Sequence, residues 1–136
     1  MSLRRRAREV ALQILFEDDV NPRATAGELT EFLQGRLRNE EGREFALGLI
    51  LGVRRNREAI DERLAQIAEN WSLKRMAGAD RNILRLGAYE ALYGGAPHAV
   101  AVNEAVELAK RYGSAQSGGF VNGILDRLKE GVRPEA

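Results

Sequence analysis

Almost every long stretch of this 136-residue chain repeats its apolar residues with a period near 3.6, and no stretch gives a convincing period of two. That periodicity leaves helix as the regular structure available. Leu3, Ala7, Val10, Ala11, Ile14 and Leu15 form one apolar stripe and predict a helix over 3–18. Asn21-Pro22 ends it, because the residue before a proline avoids the helical region. A second helix over 23–38 buries Leu29, Phe32, Leu33 and Leu37. It starts either at Pro22 with Asn21 as cap or at a Thr25/Glu28 capping box.

A third helix runs from Glu40 toward Asn70 on Phe45, Leu49, Ile50, Val53, Ile60, Leu64 and Ile67. Its length suggests a break near Arg54–Asn56, and Gly48 and Gly52, four apart, suggest close helix packing. Trp71-Ser72 opens a connecting piece in which Ser72 caps a single turn, Leu73 to Met76. A fourth helix over 79–93 shares Ile83, Leu84, Gly87, Ala88, Ala91 and Leu92 on one face, and Gly94-Gly95-Ala96-Pro97 breaks the chain after it. The fifth, over 98–112, has the stripe Ala99, Val102, Val106 and Ala109, with Gly113 as a left-handed C-terminal cap. The sixth, over 118–130, turns Val121, Ile124, Leu125 and Leu128 inward, and Gly131 and Pro134 end it. The expected fold is all-α, six or seven helices joined by short turns, forming two packed three-helix bundles. One domain over 1–136 would then divide into halves at about 1–70 and 71–136.

Composition narrows the chemistry. Hydrophobic residues make up 44% of the chain and charged residues 30%, which excludes a disordered chain. There is no cysteine, hence no disulfide framework and no thiolate metal site, and the single histidine, His98, leaves no cluster for zinc. No apolar run reaches the ~18–20 residues of a membrane span. The basic start is interrupted by Glu9 and is not a signal peptide, so a soluble, cytoplasmic protein is expected.

Net charge is only +1, but its distribution is uneven. Arg4, Arg5, Arg6 and Arg8 stand against Glu9 alone, Glu17, Asp18 and Asp19 then reverse the sign, and Arg54, Arg55 and Arg57 form a second basic knot. Positive charge at a helix start opposes the helix dipole, so four arginines there call for an external anion. Arginine suits phosphate, and interleaved aromatics suit unstacked bases, which makes Phe16 and Phe120 stacking platforms if they are not core. Gly118-Gly119-Phe120-Val121-Asn122-Gly123 has helices on both sides, so it reads as a tight turn into the last helix rather than a nucleotide fingerprint. His98 reads as a surface or capping residue. The carboxylates read mostly as solvated, and neither a catalytic constellation nor a cofactor is expected.

Several segments together carry a family resemblance. Residues 4–16 (Arg-Arg-Arg-Ala-Arg-Glu-Val-Ala-Leu-Gln-Ile-Leu-Phe) resemble the opening helix of the NusB family of transcription antitermination factors. Residues 80–86 with Tyr89-Glu90, then Pro97 with 100–110, then 120–126, are similar to later segments of that family, in order. The resemblance implies two three-helix bundles and no enzymatic activity. It implies binding of single-stranded boxA RNA together with a small-subunit ribosomal protein acting as Nus factor E, so that RNA polymerase reads through terminators in ribosomal RNA operons. By position it makes Arg4, Arg5, Arg6, Arg8, Gln13, Phe16 and Phe120 RNA-binding residues and Asp80 a contact to the ribosomal protein. Asp80 also suits the helix dipole as a first-turn acid. Phe16 stands where many members have tyrosine and Gly119 where many have a basic residue, while Asn103-Glu104 and Asn122-Gly123 read as structural. Family members occur as monomers and as homodimers. Two other readings are an RNA-targeting domain related to a ribosomal RNA cytosine methyltransferase, and a helical protein-interaction module. Four arginines on phosphate would give single-strand binding a log–log salt slope near −3, from about −0.7 per contact.

Overall fold

The fold is described by a computed structural model over residues 2–21, 25–68 and 72–131. It contains α1 (Leu3–Val20), α2 (Ala26–Arg36), α3 (Glu40–Ile67), a single 3-10 turn (Leu73–Arg75), α4 (Gly78–Leu92), α5 (His98–Tyr112) and α6 (Ser117–Gly131), with no strand among the described residues. The helices form where the periodicity places them, and side chains close the starts of α1, α2 and α3. The Ser2 hydroxyl accepts from the Arg5 amide at 3.1 Å, and Asn39 Oδ1 accepts from Glu41 at 2.8 Å. Thr25 caps α2 by accepting from the Glu28 amide at 3.3 Å, so α2 starts at Thr25/Glu28 rather than at Pro22, which lies outside the described residues. Trp71, Asn70 and Pro134 also lie outside them.

Helix α3 is continuous for 28 residues, about 42 Å at 1.5 Å per residue. The expected break at Arg54–Asn56 is absent: α1 holds Arg54 and Arg57 from outside, and Asn56 ties back to its own helix. Arg54 donates two bonds of 2.7 Å to Asp18, Arg57 donates to Asp19 at 3.0 Å, and Asn56 Nδ2 donates back to the Gly52 carbonyl at 2.8 Å. Of the two glycines in α3, Gly52 is the close-packing one: a Cβ there would run into the Tyr89 ring of α4. Gly48 is exposed with open space above it.

Helices α1, α3, α5 and α6 all pack on α4, and α2 packs on α3. A single apolar cluster draws on all six helices, with Leu29, Leu33, Ile50, Ile60, Leu64, Ile83, Leu84, Leu86, Leu125 and Leu128 almost wholly buried. The sixth helix turns Val121, Ile124, Leu125 and Leu128 inward as its stripe predicts. In α5 the buried stripe is Ala101, Val102, Ala105, Leu108 and Ala109, while Ala99 is exposed and Val106 half-buried. The small residues win because α5 lies close to α4: a Cβ on Gly87 would stand 3.0 Å from that of Ala105.

Two turns differ from expectation. Gly113 is extended (φ −99°, ψ −167°), not left-handed. Glycine is needed there because a Cβ would collide with Ser117, whose hydroxyl accepts from the Ser114 amide at 2.8 Å. That Ser114–Ser117 turn, and not Gly118-Gly119, redirects the chain into α6; both glycines are already helical. The left-handed glycine is Gly95 (φ +74°), in the predicted break after α4. Ser72 precedes the 3-10 turn but caps it through its backbone carbonyl only.

Helix α4 is buried nearly all round, including Asn82, Arg85 and Glu90. Asp19 of α1 is the hub for its first half. It accepts from Arg85 at 2.7 Å, Asn82 at 2.8 Å, Arg81 at 2.9 Å and Arg57 of α3 at 3.0 Å. Arg85 also makes a two-pronged bond to Asp61 at 2.8 and 2.9 Å. Burial alone would raise the Asp19 carboxyl, but the bonds from Asn82, Arg85 and Arg81 outweigh it and hold the group below the ordinary aspartate value. The linked stability is therefore present above that value, about pH 3.9, and lost as pH falls through the depressed one. Asp19→Asn is expected to cost about 3 kcal/mol at pH 7 in urea denaturation. It should also flatten the acid limb of the stability curve, and an unchanged limb would remove Asp19 from that role.

Candidate nucleic-acid interface

The four N-terminal arginines do not act as a block. Arg8 points inward. Its guanidinium grips Glu90 of α4 at 2.7 and 2.8 Å and reaches Glu104 of α5 at 3.4 Å, and it is 5% exposed. Helical geometry explains this, because Arg8 is one turn from Ala11 and Leu12 on the buried face. Its neighbour Arg5 is exposed but donates 3.1 Å bonds to both Glu104 oxygens, which raises its already high pKa. Arg4 is exposed and lies 4.6 Å over the Phe45 ring. Arg6 is exposed and donates to Glu9 at 3.3 Å.

Arg6, Gln13 and Phe16 share one face of α1, and all three line a single groove of about 460 Å³ together with Leu12, Ala79 and Tyr112. Phe16 is 46% exposed, which settles it as a surface aromatic and not core. Tyr112, 44% exposed on the last residue of α5, faces the same groove. Sequence reasoning passed over Tyr112, although its place before the Gly113 turn marks a helix end where a ring can stand clear. Glu9 also lines the groove, but Arg6 and Arg111, the latter at 2.9 Å, cover its carboxylate. Burial, then the Glu9 charge, pushes the Tyr112 phenol upward.

Phe120 lies in the first turn of α6, half-buried against the core, and lines a second groove with Arg75, Met76, Asp80 and the Ser114–Ser117 turn. The start of α4 separates the two grooves. The Phe16 ring packs over Gly78, Ala79 lines the first groove and Asp80 the second. The structure thus brings Phe16, Phe120 and Asp80 to one end of the molecule, with Arg6 and Gln13 along α1. Asp80 occupies the first turn of α4, and its Oδ1 is buried without a hydrogen-bond partner.

The second basic knot is largely neutralised within the fold, since Arg54 and Arg57 pair with Asp18 and Asp19, and only Arg55 is exposed. Several carboxylates expected on solvated faces are in fact buried and ion-paired, Glu9, Asp18 and Glu90 among them. His98 begins α5, its Nε2 buried and 4.0 Å from Asp126. Among the described residues no group of acids and histidine is arranged to hold a metal, and no helix is long and apolar enough to cross a membrane.

The sequence pattern of the NusB family matches residues 5–130. The chain belongs to the NusB family. It is 47% identical to the transcription antitermination protein NusB of Anaeromyxobacter sp. strain Fw109-5, over 99% of this chain and 96% of that protein. It is 45% identical to the NusB of Trichlorobacter lovleyi, over 95% of this chain and 92% of that protein. The fold superimposes on T. maritima NusB with a TM-score of 0.86 at 38% identity, covering 96% and 93% of the two chains. It also superimposes on a chain from a complex of antitermination factors NusB and NusE with double-stranded RNA, at TM-score 0.84 and 26% identity, covering 97% and 99%. Membership in the NusB family makes this a transcription antitermination factor, which acts by binding and not by catalysis. It also gives the segments that carried the resemblance a physical role: Arg81, Asn82, Arg85, Glu90 and Glu104 are the internal partners of α1.

Arg8→Ala would leave Glu90 buried and short of a charge partner, at an expected cost of 3–5 kcal/mol, roughly, in thermal or urea unfolding. Arg6→Ala removes an exposed guanidinium whose buried partner Glu9 keeps Arg111, and is expected to stay within about 0.5 kcal/mol of the parent. Equal effects of the two changes would contradict the division of the cluster into an inner and an outer set.

Proposed function

We propose that this NusB-family protein binds single-stranded boxA RNA of ribosomal RNA operons, as a heterodimer with the small-subunit ribosomal protein that acts as Nus factor E, within the cytoplasmic antitermination complex of RNA polymerase. The observation that carries the reading is the pair of grooves flanking the start of α4, one lined by Arg6, Gln13 and Phe16 and the other by Phe120. Exposed guanidinium groups supply phosphate contacts, and two accessible aromatic faces supply stacking for unpaired bases. The relative solved with NusE and RNA supports the pairing of RNA and protein partner in one assembly. In this reading Arg4, Arg5 and Arg6 meet phosphate, while Arg8 is a positioning residue that seats α1 on α4. Asp80 faces the ribosomal protein, and its unpartnered Oδ1 suits a donor brought from outside.

With three arginines instead of four, the expected log–log salt slope is near −2, from about −0.7 per contact. Fluorescence anisotropy of a short boxA-type RNA, against scrambled and duplex controls, with and without the ribosomal protein, tests the reading. BoxA preference that tightens with the partner is expected, and equal binding of all RNAs in both conditions would overturn it. Phe120→Ala should weaken binding by roughly 1–3 kcal/mol with the circular dichroism spectrum unchanged.

Gly119 offers a gain-of-function check. It is exposed, with nothing within 4 Å of a built Cβ. Gly119→Lys should fold normally, bind RNA more tightly at low salt and steepen the slope by about 0.7. A lysine that changes neither affinity nor slope would place the phosphates elsewhere.

A further inference from the structure

Beside the Phe120 groove lies a second depression, of about 480 Å³, between α5 and α6. Asn103 of α5 and Asn122 of α6 line it from opposite walls, with Lys110 at one end and Gly118-Gly119 on the α6 side. Both asparagines read as structural in the sequence, yet both are exposed, and neither carboxamide has a hydrogen-bond partner among the described residues. Lys110 is the one charged residue in the lining; it is exposed and pairs loosely with Glu107 at 3.7 Å outside the depression, and no carboxylate is in the lining itself. The groove that contains Phe120 and the one between α1 and α5 each include at least one carboxylate. Ser114, Ala115 and Gly119 border both this depression and the groove that contains Phe120, so the two are continuous.

We propose that this α5–α6 depression is a base-recognition subsite for an unpaired nucleobase of the RNA strand next to the base stacked on Phe120. A carboxamide offers two N–H donors and a carbonyl acceptor, the set needed to pair with the hydrogen-bonding edge of a base. Two carboxamides from opposite walls read such an edge more selectively than a charge does. Lys110 at the end of the depression suits the phosphate that follows. The absence of carboxylates removes the repulsion that would keep a polyanion out. Gly118 and Gly119 keep the α6 wall low, so a planar base can enter from the Phe120 side. The proposal rests on the RNA-binding reading above and adds to it a site of specificity, where Phe120 supplies sequence-tolerant stacking.

The test uses the full chain, the ribosomal partner and a labelled boxA-type RNA carrying a single abasic nucleotide at each position in turn. In the parent protein, one abasic position adjoining the one most sensitive to Phe120→Ala should cost roughly 5- to 10-fold in affinity, the range of one or two hydrogen bonds. The double variant N103A/N122A should bind the unmodified RNA 5- to 10-fold more weakly, roughly, and lose its sensitivity at that one position only. N103D/N122D, close in shape to the parent, should be weaker still at low salt, with the gap to the parent narrowing as salt rises. The side-chain amide signals of Asn103 and Asn122 should shift in nitrogen-edited NMR when RNA is added. Binding by both double variants equal to the parent, while Phe120→Ala weakens it, would overturn the subsite and leave the RNA reading standing. If RNA binding is intact but affinity for the ribosomal protein falls, the depression belongs to the protein partner and the subsite is again overturned. No boxA preference in the parent would remove both readings together.

Discussion

Helix α4 has almost no solvent face along its middle, so the buried Asn82, Arg85 and Glu90 need partners inside the molecule. It carries Arg81, Asn82 and Arg85 near one end and Glu90 near the other. Helix α1 answers both ends, with Asp19 for the first group and Arg8 for Glu90. Unpaired, any of these charges would be costly to bury, and with them paired only one placement of α1 on α4 satisfies all of them. A slide of α1 by one residue rotates its side chains by about 100° and breaks both ends at once. The ionic ties thus act as a register lock on a core whose apolar contacts are far less directional.

The candidate interface follows from that lock. Once Arg8 and Asp19 face inward, Arg6, Gln13 and Phe16 face outward along one strip of α1. The same lock sets the start of α4 under the Phe16 ring and fixes Ala79 and Asp80 at the borders of the two grooves. Glycine spacing does the rest. Gly52 lets Tyr89 approach α3, Gly87 lets α5 and α6 close on α4, and Gly113 makes room for the Ser117 hydroxyl that turns the chain into α6. That turn is what presents Phe120.

Division of labour among like residues is the main feature of the charge pattern. Glu9 stands between Arg6 and Arg111, so an acid in the middle of the arginine face adds little free negative charge. Arg54 and Arg57 are likewise matched to Asp18 and Asp19. A chain with net charge of only +1 can therefore keep a locally basic helix start, because the acids packed against that start, Glu9, Glu90 and Glu104, are already matched to arginines.

The sequence by itself determined the helices, their inward faces and most of their ends, because these depend on a 3.6 period, capping side chains and glycine or proline breaks, all local in the chain. It also made the family legible, since the matching segments are contiguous. It determined less about the arginines. The helical period sets Arg8 one turn from Ala11 and Leu12, but it does not say what receives a buried guanidinium; Glu90 and Glu104, more than eighty residues away, do. The continuity of α3 through Arg54–Asn56, the surface position of Phe16, the contribution of Tyr112 to its groove and the meeting of Phe120 with Asp80 were decided only by tertiary structure. Each depends on which helix lies across another, and a sequence period records that a face is buried without recording what buries it.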